Sequence, residues 1–413
     1  MPDFGRSLLG LWHLDPTFAH LNHGTVGATP KLVLEAQRSW SDRIERHPAE
    51  FMLRRLANPM AAEWGGQEPP AMRQAAAAAA RFLGADPDGL ALVDNITTGV
   101  NAVLRSLELG PGDVVAVTNL GYGGVTNVAR FVTERAGATL DVIDLPAPGA
   151  SAEEFADAFD AQLRPGAKLA VIDHLSAFSA LILPVERFIK TCRARGVIAL
   201  VDGAHVPGQL DLDVGGLAAL GADFYTANLH KWGWTPRSSG FLWVAPEHRS
   251  WVHPAVISWG LGRGLEAEFD LVGTRDPTPF LVIPQVIDYR ASFGEERIRS
   301  YMHETCWAGA RYLAAEFGTS FDTPESMIGA MAVVGLPLRL GSTPDDAERL
   351  RAHLSDRHRV EVPIFAVGGG ADKPDSFGVG AEPGLVVRIC TQIYNDMSDV
   401  DRLVEGVQAA PSA

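Results

Sequence analysis

The sequence predicts an α/β fold: a large domain with a mostly parallel central sheet covered by helices, followed by a smaller α+β C-terminal domain. Two observations carry that reading. Runs of almost purely apolar residues alternate with helix-period segments through the first two thirds of the 413-residue chain. Strands that lack polar alternation are buried on both faces, as in a parallel sheet sandwiched between helices. After about residue 275 this alternation stops, and the remaining helices and strands come in a different order.

The elements follow in turn. Leu90–Val93 reads as a short strand and residues 98–106 as the helix after it. Gly110-Pro111-Gly112 marks a turn. Residues 113–118, Thr139–Ile143, 169–172 and 197–201 read as further strands, and 223–227 as another. Residues 125–136, 152–163 and 185–195 are the intervening helices, the last with Gly196 placed as its C-cap. The alanine-rich run from Gln74 to Arg81 leads straight into Phe82 and Leu83, so it reads as a helix and not a linker. In the last third, a helical stretch over 284–317 precedes strands at 331–338, 360–364 and 385–390. Helices at 344–357 and 398–409 separate or follow them, and 368–380 is expected to be a mobile loop. The divisions are an N-terminal segment 1–20, a large domain 21–280 and a small domain 281–413, the second boundary falling near 275–295.

Composition narrows the partners. Hydrophobic residues make up 46% and charged residues 21%, enough apolar material for a sizeable core. The 50 acids against 35 bases leave a net charge of −15, which argues against nucleic acid or an anionic membrane as partner. Cys192, Cys306 and Cys390 are too few and too scattered for a disulfide framework, and no Cys-x-x-Cys pair offers a metal site. The start of the chain has no basic-then-apolar signal pattern, and no apolar run reaches the ~18 residues needed to cross a bilayer. A cytoplasmic protein without a metal is the expectation.

Asp202 ends a buried strand, in Ala199-Leu200-Val201-Asp202, and Lys231 follows the next strand, in Asn228-Leu229-His230-Lys231. A buried carboxylate is costly unless a cation meets it, and lysine is seldom buried without a partner or a function. Open α/β sheets bind ligands at this carboxyl edge. These two segments stand among six that occur in order. The others are Leu21-Asn22-His23-Gly24, Asn95-Ile96-Thr97-Thr98-Gly99, Gly273-Thr274-Arg275-Asp276-Pro277 and Val387-Arg388-Ile389. Together they resemble the pyridoxal-phosphate enzymes of the aminotransferase class V group, fold type I. The nearest branch is the isopenicillin N epimerase-like one, related to cysteine desulfurases and ergothioneine-pathway C–S lyases.

The resemblance implies pyridoxal 5'-phosphate as cofactor, an amino acid as substrate, and a homodimer with shared active sites. It makes Lys231 the residue that forms the Schiff base and then acts as base at Cα. Asp202 would pair with the protonated pyridine nitrogen. His205 would reach the phenolic oxygen or the ring face, with a structural histidine as the alternative. Thr97 and Thr98 open a helix whose N–H groups suit a phosphate dianion. His230 matches the phosphate-contacting histidine, and Asn228 is a further candidate for the cofactor. Tyr122, in Leu120-Gly121-Tyr122-Gly123, occupies the place of the ring stacked on the pyridine. Thr274 would contact the phosphate of the other subunit. Arg388 suits bidentate grip on a substrate α-carboxylate. Asn22 and His23 either border the substrate or simply form a strand-to-turn segment.

Two departures from the desulfurases bear on the reaction. Their catalytic loop cysteine has no counterpart in 361–383, so persulfide chemistry is not expected. Their asparagine that contacts the phenolic oxygen aligns near Ala177, which leaves Ser176 or Ser179 for that contact. The reading is therefore Cα deprotonation of an α-amino acid with an epimerase-like outcome. C–S lyase chemistry is the alternative, because Thr235-Pro236-Arg237 resembles the lyase branch. Transamination is a third outcome. A non-catalytic PLP-binding regulator is disfavoured, because no basic helix-turn-helix accompanies the chain.

Overall fold

The computed structural model describes residues 3–413 except 58, 60–62, 64, 67, 68, 369–376 and 380. Its large sheet is built from β2 (Leu90–Val93), β3 (Val114–Thr118), β4 (Thr139–Ile143), β5 (Leu169–Asp173), β6 (Ile198–Asp202), β7 (Phe224–Asn228) and β8 (Gly240–Val244); β1 (Ala19–His20) lies elsewhere. The strand order is β2-β8-β7-β6-β5-β3-β4. Neighbours are parallel except for β8, which runs antiparallel to both β2 and β7. Strands β5, β7 and β8 are buried at every position. That burial is why their sequences carry no polar alternation. The sequence reading omitted β8, although Phe241-Leu242-Trp243-Val244 is an apolar run of strand length.

Helices cover both faces. Ala71–Phe82, Ala152–Gln162 and Val185–Ala194 bury their apolar stripes in one cluster. Ile96–Ser106, Gly123–Ala136 and Leu265–Asp270 pack on the other side. Gly196 sits just past the end of Val185–Ala194 with φ 67°, a left-handed conformation that glycine adopts without strain.

The C-terminal part holds an antiparallel sheet of β9 (Met331–Gly335), β11 (Ile364–Val367) and β12 (Gly384–Cys390), in the order β11-β12-β9. Helices Glu295–Phe317, Pro344–His358 and Met397–Ala409 pack against it around a separate apolar cluster. Two expectations are corrected here. The stretch 284–317 is two helices, Ile283–Ala291 and Glu295–Phe317, broken at Gly294 with φ 83°. The stretch 360–364 is likewise two strands, β10 (Val360–Glu361) and β11, separated by Val362-Pro363; a proline cannot donate to the ladder. β10 pairs in parallel with β1. Ala19 and Leu21 bury in the C-terminal cluster, and the Gly5 N–H donates to the Ile393 carbonyl at 2.8 Å, so the chain's beginning is fastened to its end. Most of the loop expected at 368–380 lies outside the described residues. Among those described, no helix is long and apolar enough to cross a membrane.

Candidate active site

A cavity of about 580 Å³ opens where the carboxyl ends of β5, β6 and β7 face strands β11 and β12. The parallel strands end there, so their last side chains converge on one space. Lys231 follows β7 by three residues and lies on this cavity. Its Nζ is 3.1 Å from His205 Nε2. Burial, and after it the positive charge of Arg388, lowers the Lys231 pKa to about 8. His205 is buried, and burial followed by the lysine's charge holds its pKa well below the usual range. The Trp232 indole N–H donates to His205 Nδ1 at 3.4 Å. With Trp232 donating to Nδ1, the neutral ring can present an Nε2–H to Lys231 only when the lysine amine is itself neutral.

Asp202, the last residue of β6, accepts the Ala204 N–H through Oδ1 at 2.9 Å. Its Oδ2 is buried without a hydrogen-bond partner. Across the strand register lies Asp173, also buried, which accepts the Thr118 hydroxyl at 3.1 Å. Burial raises both pKa values, and Asp173 is raised further by its neighbour's charge. Two adjacent buried carboxylates share one negative charge at most cheaply, unless a cation joins them. Sequence reading missed Asp173. Its signal was an acid at the carboxyl end of an otherwise apolar strand, the same pattern that revealed Asp202.

Helix Ile96–Ser106 points its N-terminus at the cavity. Asn95 caps it by accepting the Thr98 N–H at 3.0 Å. Asn228 Oδ1 accepts the Ile96 N–H, also at 3.0 Å. Thr97 thus keeps its N–H and hydroxyl for an anion, and it lines the cavity. Thr98 does not line it: the cap has taken its N–H, which corrects its expected role. His230 lines the same end, donates from Nδ1 to the Ser239 carbonyl at 3.0 Å, and has a pKa lowered to about 4, chiefly by burial.

Arg388, on β12, is 5% exposed and faces the cavity. It donates from Nη2 to Thr25 Oγ1 at 2.9 Å and from Nη1 to the Ala177 carbonyl, while Nε is buried without a partner. Among the described residues no carboxylate pairs with it. Asn22 lines the cavity and donates to Glu361 at 2.9 Å. Tyr122 lines it too, with its ring stacked on Phe178.

Two expectations are corrected by placement, those for His23 and for Ser176 or Ser179. His23 lies beneath the cavity, not on it: Nδ1 meets the Tyr394 hydroxyl at 2.9 Å and Nε2 the Lys231 carbonyl at 3.1 Å. It supports the lysine's backbone. Ser176 and Ser179 are buried against each other, Oγ to Oγ 2.6 Å, so neither is offered to a ligand. Thr274 is exposed and does not line its own chain's cavity. Elsewhere, Asp223, Glu247 and His248 gather donor atoms within 4.8 Å. Both ring nitrogens of His248 are already engaged, by Asp223 and by Trp251.

The residues fit pyridoxal phosphate. The orphaned Asp202 Oδ2 suits a protonated ring nitrogen, and the helix start at Thr97 suits a phosphate. Lys231 offers an amine with lowered pKa. Comparison with known proteins agrees. The family model described as "Aminotransferase class-V" matches residues 49–403. A putative L-cysteine desulfhydrase 1 from rice, Oryza sativa subsp. japonica, is 35% identical, with 96% of this chain and 83% of that protein covered. Isopenicillin N epimerase from Streptomyces clavuligerus is 32% identical, with 96% of each chain covered. A solved structure of a C-DES mutant, with glycine covalently linked to its PLP cofactor, superposes with TM-score 0.74 at 20% identity, over 99% of this chain and 100% of that one. That likeness speaks for the fold alone. Matched over most of its length, the chain belongs to the aminotransferase class-V family and is a pyridoxal-phosphate enzyme of that family.

Proposed function

We propose that this enzyme removes the Cα proton of an α-amino acid, with Lys231 as the base and Arg388 as the carboxylate anchor. One observation carries the reading. A buried guanidinium with no carboxylate partner among the described residues shares its cavity with a lysine whose pKa is lowered to about 8. An uncompensated buried cation is costly, and an α-carboxylate would relieve it through paired N–H···O bonds.

Asp202 would hold the ring nitrogen of pyridoxal phosphate, and Thr97 with His230 its phosphate. The cofactor, when bound, supplies an electron sink that makes the Cα–H bond acidic. Arg388, fixed by Thr25 and the Ala177 carbonyl, sets the orientation of the substrate's Cα. Lys231 Nζ accepts the proton in its neutral form and can return it. His205 Nε2 lies 3.1 Å from Nζ. Leu175, Val362 and Pro363 add apolar surface to the cavity lining, which limits water there.

The proposed outcome is epimerase-like, in line with the epimerase relative. β-Elimination of a sulfur substituent is the second reading. It is favoured by Arg237, whose Thr-Pro-Arg segment brings it to the cavity, and by the desulfhydrase relative. We further propose a cytoplasmic homodimer in which Thr274 serves the partner's cavity. The test of the reaction is solvent-deuterium exchange at Cα across a panel of amino acids and S-substituted cysteines. Exchange that disappears in Lys231→Ala supports the shared step. Inversion without pyruvate or ammonia marks the epimerase, and pyruvate with ammonia marks the lyase. A protein that retains the cofactor but exchanges no amino acid in the panel would refute the reading.

A further inference from the structure

The wall beside Arg388 is aromatic. Phe178 follows Ala177, whose carbonyl holds the Arg388 guanidinium. Phe365, on β11, lies under that guanidinium, with 5.6 Å from Cζ to the ring centroid. The two rings meet edge to face at 5.3 Å, and both line the cavity. Each is only half-buried, and neither belongs to any of the four hydrophobic clusters that build the core. Phe377 packs against both rings, at 6.4 and 6.0 Å, and Tyr122 stacks on Phe178, so one aromatic group forms this wall. The surface of Phe178 and Phe365 that stays uncovered gains further apolar burial from what enters the cavity.

The charged groups that line the cavity near its mouth have contacts of their own. Glu361 accepts from Asn22 at 2.9 Å, and Arg351 pairs with Glu348. Arg237 stands at the other end, beside His230. The surface immediately next to Arg388 is that of Phe365 and Phe178, and it offers apolar contact.

We propose that Phe178 and Phe365 determine substrate side-chain specificity, and that the substrate is an α-amino acid with an aromatic or other bulky apolar side chain, thioethers included. This rests on the reading that Arg388 holds the α-carboxylate. A short side chain leaves the rings uncovered, and a charged one is desolvated without a partner.

The test measures Cα hydrogen–deuterium exchange by holoenzyme in heavy water. One proton leaves Cα and one deuteron returns, so no co-reactant is needed. The probes are S-benzyl-L-cysteine, L-phenylalanine, L-alanine, L-cysteine and L-aspartate. The expected result is exchange per kcat/KM at least about tenfold faster for the two aromatic probes than for the other three. Phe365→Ala and, separately, Phe178→Ala should each reduce the benzyl-to-alanine ratio about tenfold, and Phe178→Leu should restore much of it. Faster exchange of L-cysteine or L-aspartate would overturn the specificity while leaving proton abstraction standing. An unchanged ratio in both alanine variants would do the same. No exchange of any probe by cofactor-loaded protein would overturn both the specificity and the reading beneath it.

Discussion

At the scale of single residues, the site works by withholding partners. Asp202 Oδ2 and Arg388 Nε are buried without a hydrogen-bond partner among the described residues, and in the proposed reading a bound molecule would supply the missing charge or acceptor. Lys231 is treated similarly: burial and Arg388 disfavour its ammonium form. This has a pH consequence. Covalent attachment of pyridoxal phosphate requires the neutral amine. Below pH 8 the protonated form dominates, so the attachment rate of added cofactor to apo-protein should rise about tenfold per pH unit and level off near pH 8. Stopped-flow absorbance across pH 6–10.5 checks it; a rate still climbing above about pH 10, as for an unperturbed lysine, would contradict the role of burial. Asp202 and Arg388 stood out in the sequence as charges in apolar strands, and Lys231 as a lysine just past one, within motifs that occur in order. The corrected roles of Thr98 and His23 were not legible there, because capping and burial beneath a backbone depend on which partner arrives from elsewhere in the chain.

At the scale of elements, helix Ile96–Ser106 is positioned by its contact with β7. Gly99 sits on that contact: a Cβ there would meet Thr226 Oγ1 at 2.2 Å, and that hydroxyl is held by the Phe241 carbonyl at 2.8 Å. Gly99→Ala should therefore destabilise the protein by about 1–3 kcal/mol, although alanine is the better helix former by about 1 kcal/mol. The displaced helix start should also hold cofactor phosphate less well. Thermal unfolding of the apo-protein, together with cofactor retention on gel filtration, reads both effects; a variant as stable and as well loaded as the parent would show that the helix is not fixed by this contact. Most elements were readable from apolar runs and caps, as Thr139–Ile143 and Gly196 illustrate. β8 and the split at Pro363 were harder. An antiparallel return between two strands leaves no mark in periodicity, and a strand's partner decides where it ends.

At the scale of the whole molecule, the exposed Thr274 bears on assembly, since it lies away from its own chain's cavity. If the partner's phosphate is its target, Thr274→Ala protein mixed with Lys231→Ala protein should regain activity once subunits exchange, because some cavities then carry neither lesion. Sedimentation velocity should show a dimer, and a fully active monomer would rule out the shared site. The sequence by itself determined the α/β architecture, the family and its cofactor, and it singled out Lys231, Asp202 and Arg388 as candidates for the site. Those follow from local order along the chain: strand-length apolar runs, a charge at a strand end, and motifs in sequence. Only the tertiary structure decided that Asp173 joins Asp202, that Asn228 and Asn95 use up the helix N–H groups beside Thr97, and that Phe178 and Phe365 flank Arg388. Each of these juxtapositions joins residues from separate elements. Side-chain packing and strand register set such contacts, and neither is written in the residues on either side alone.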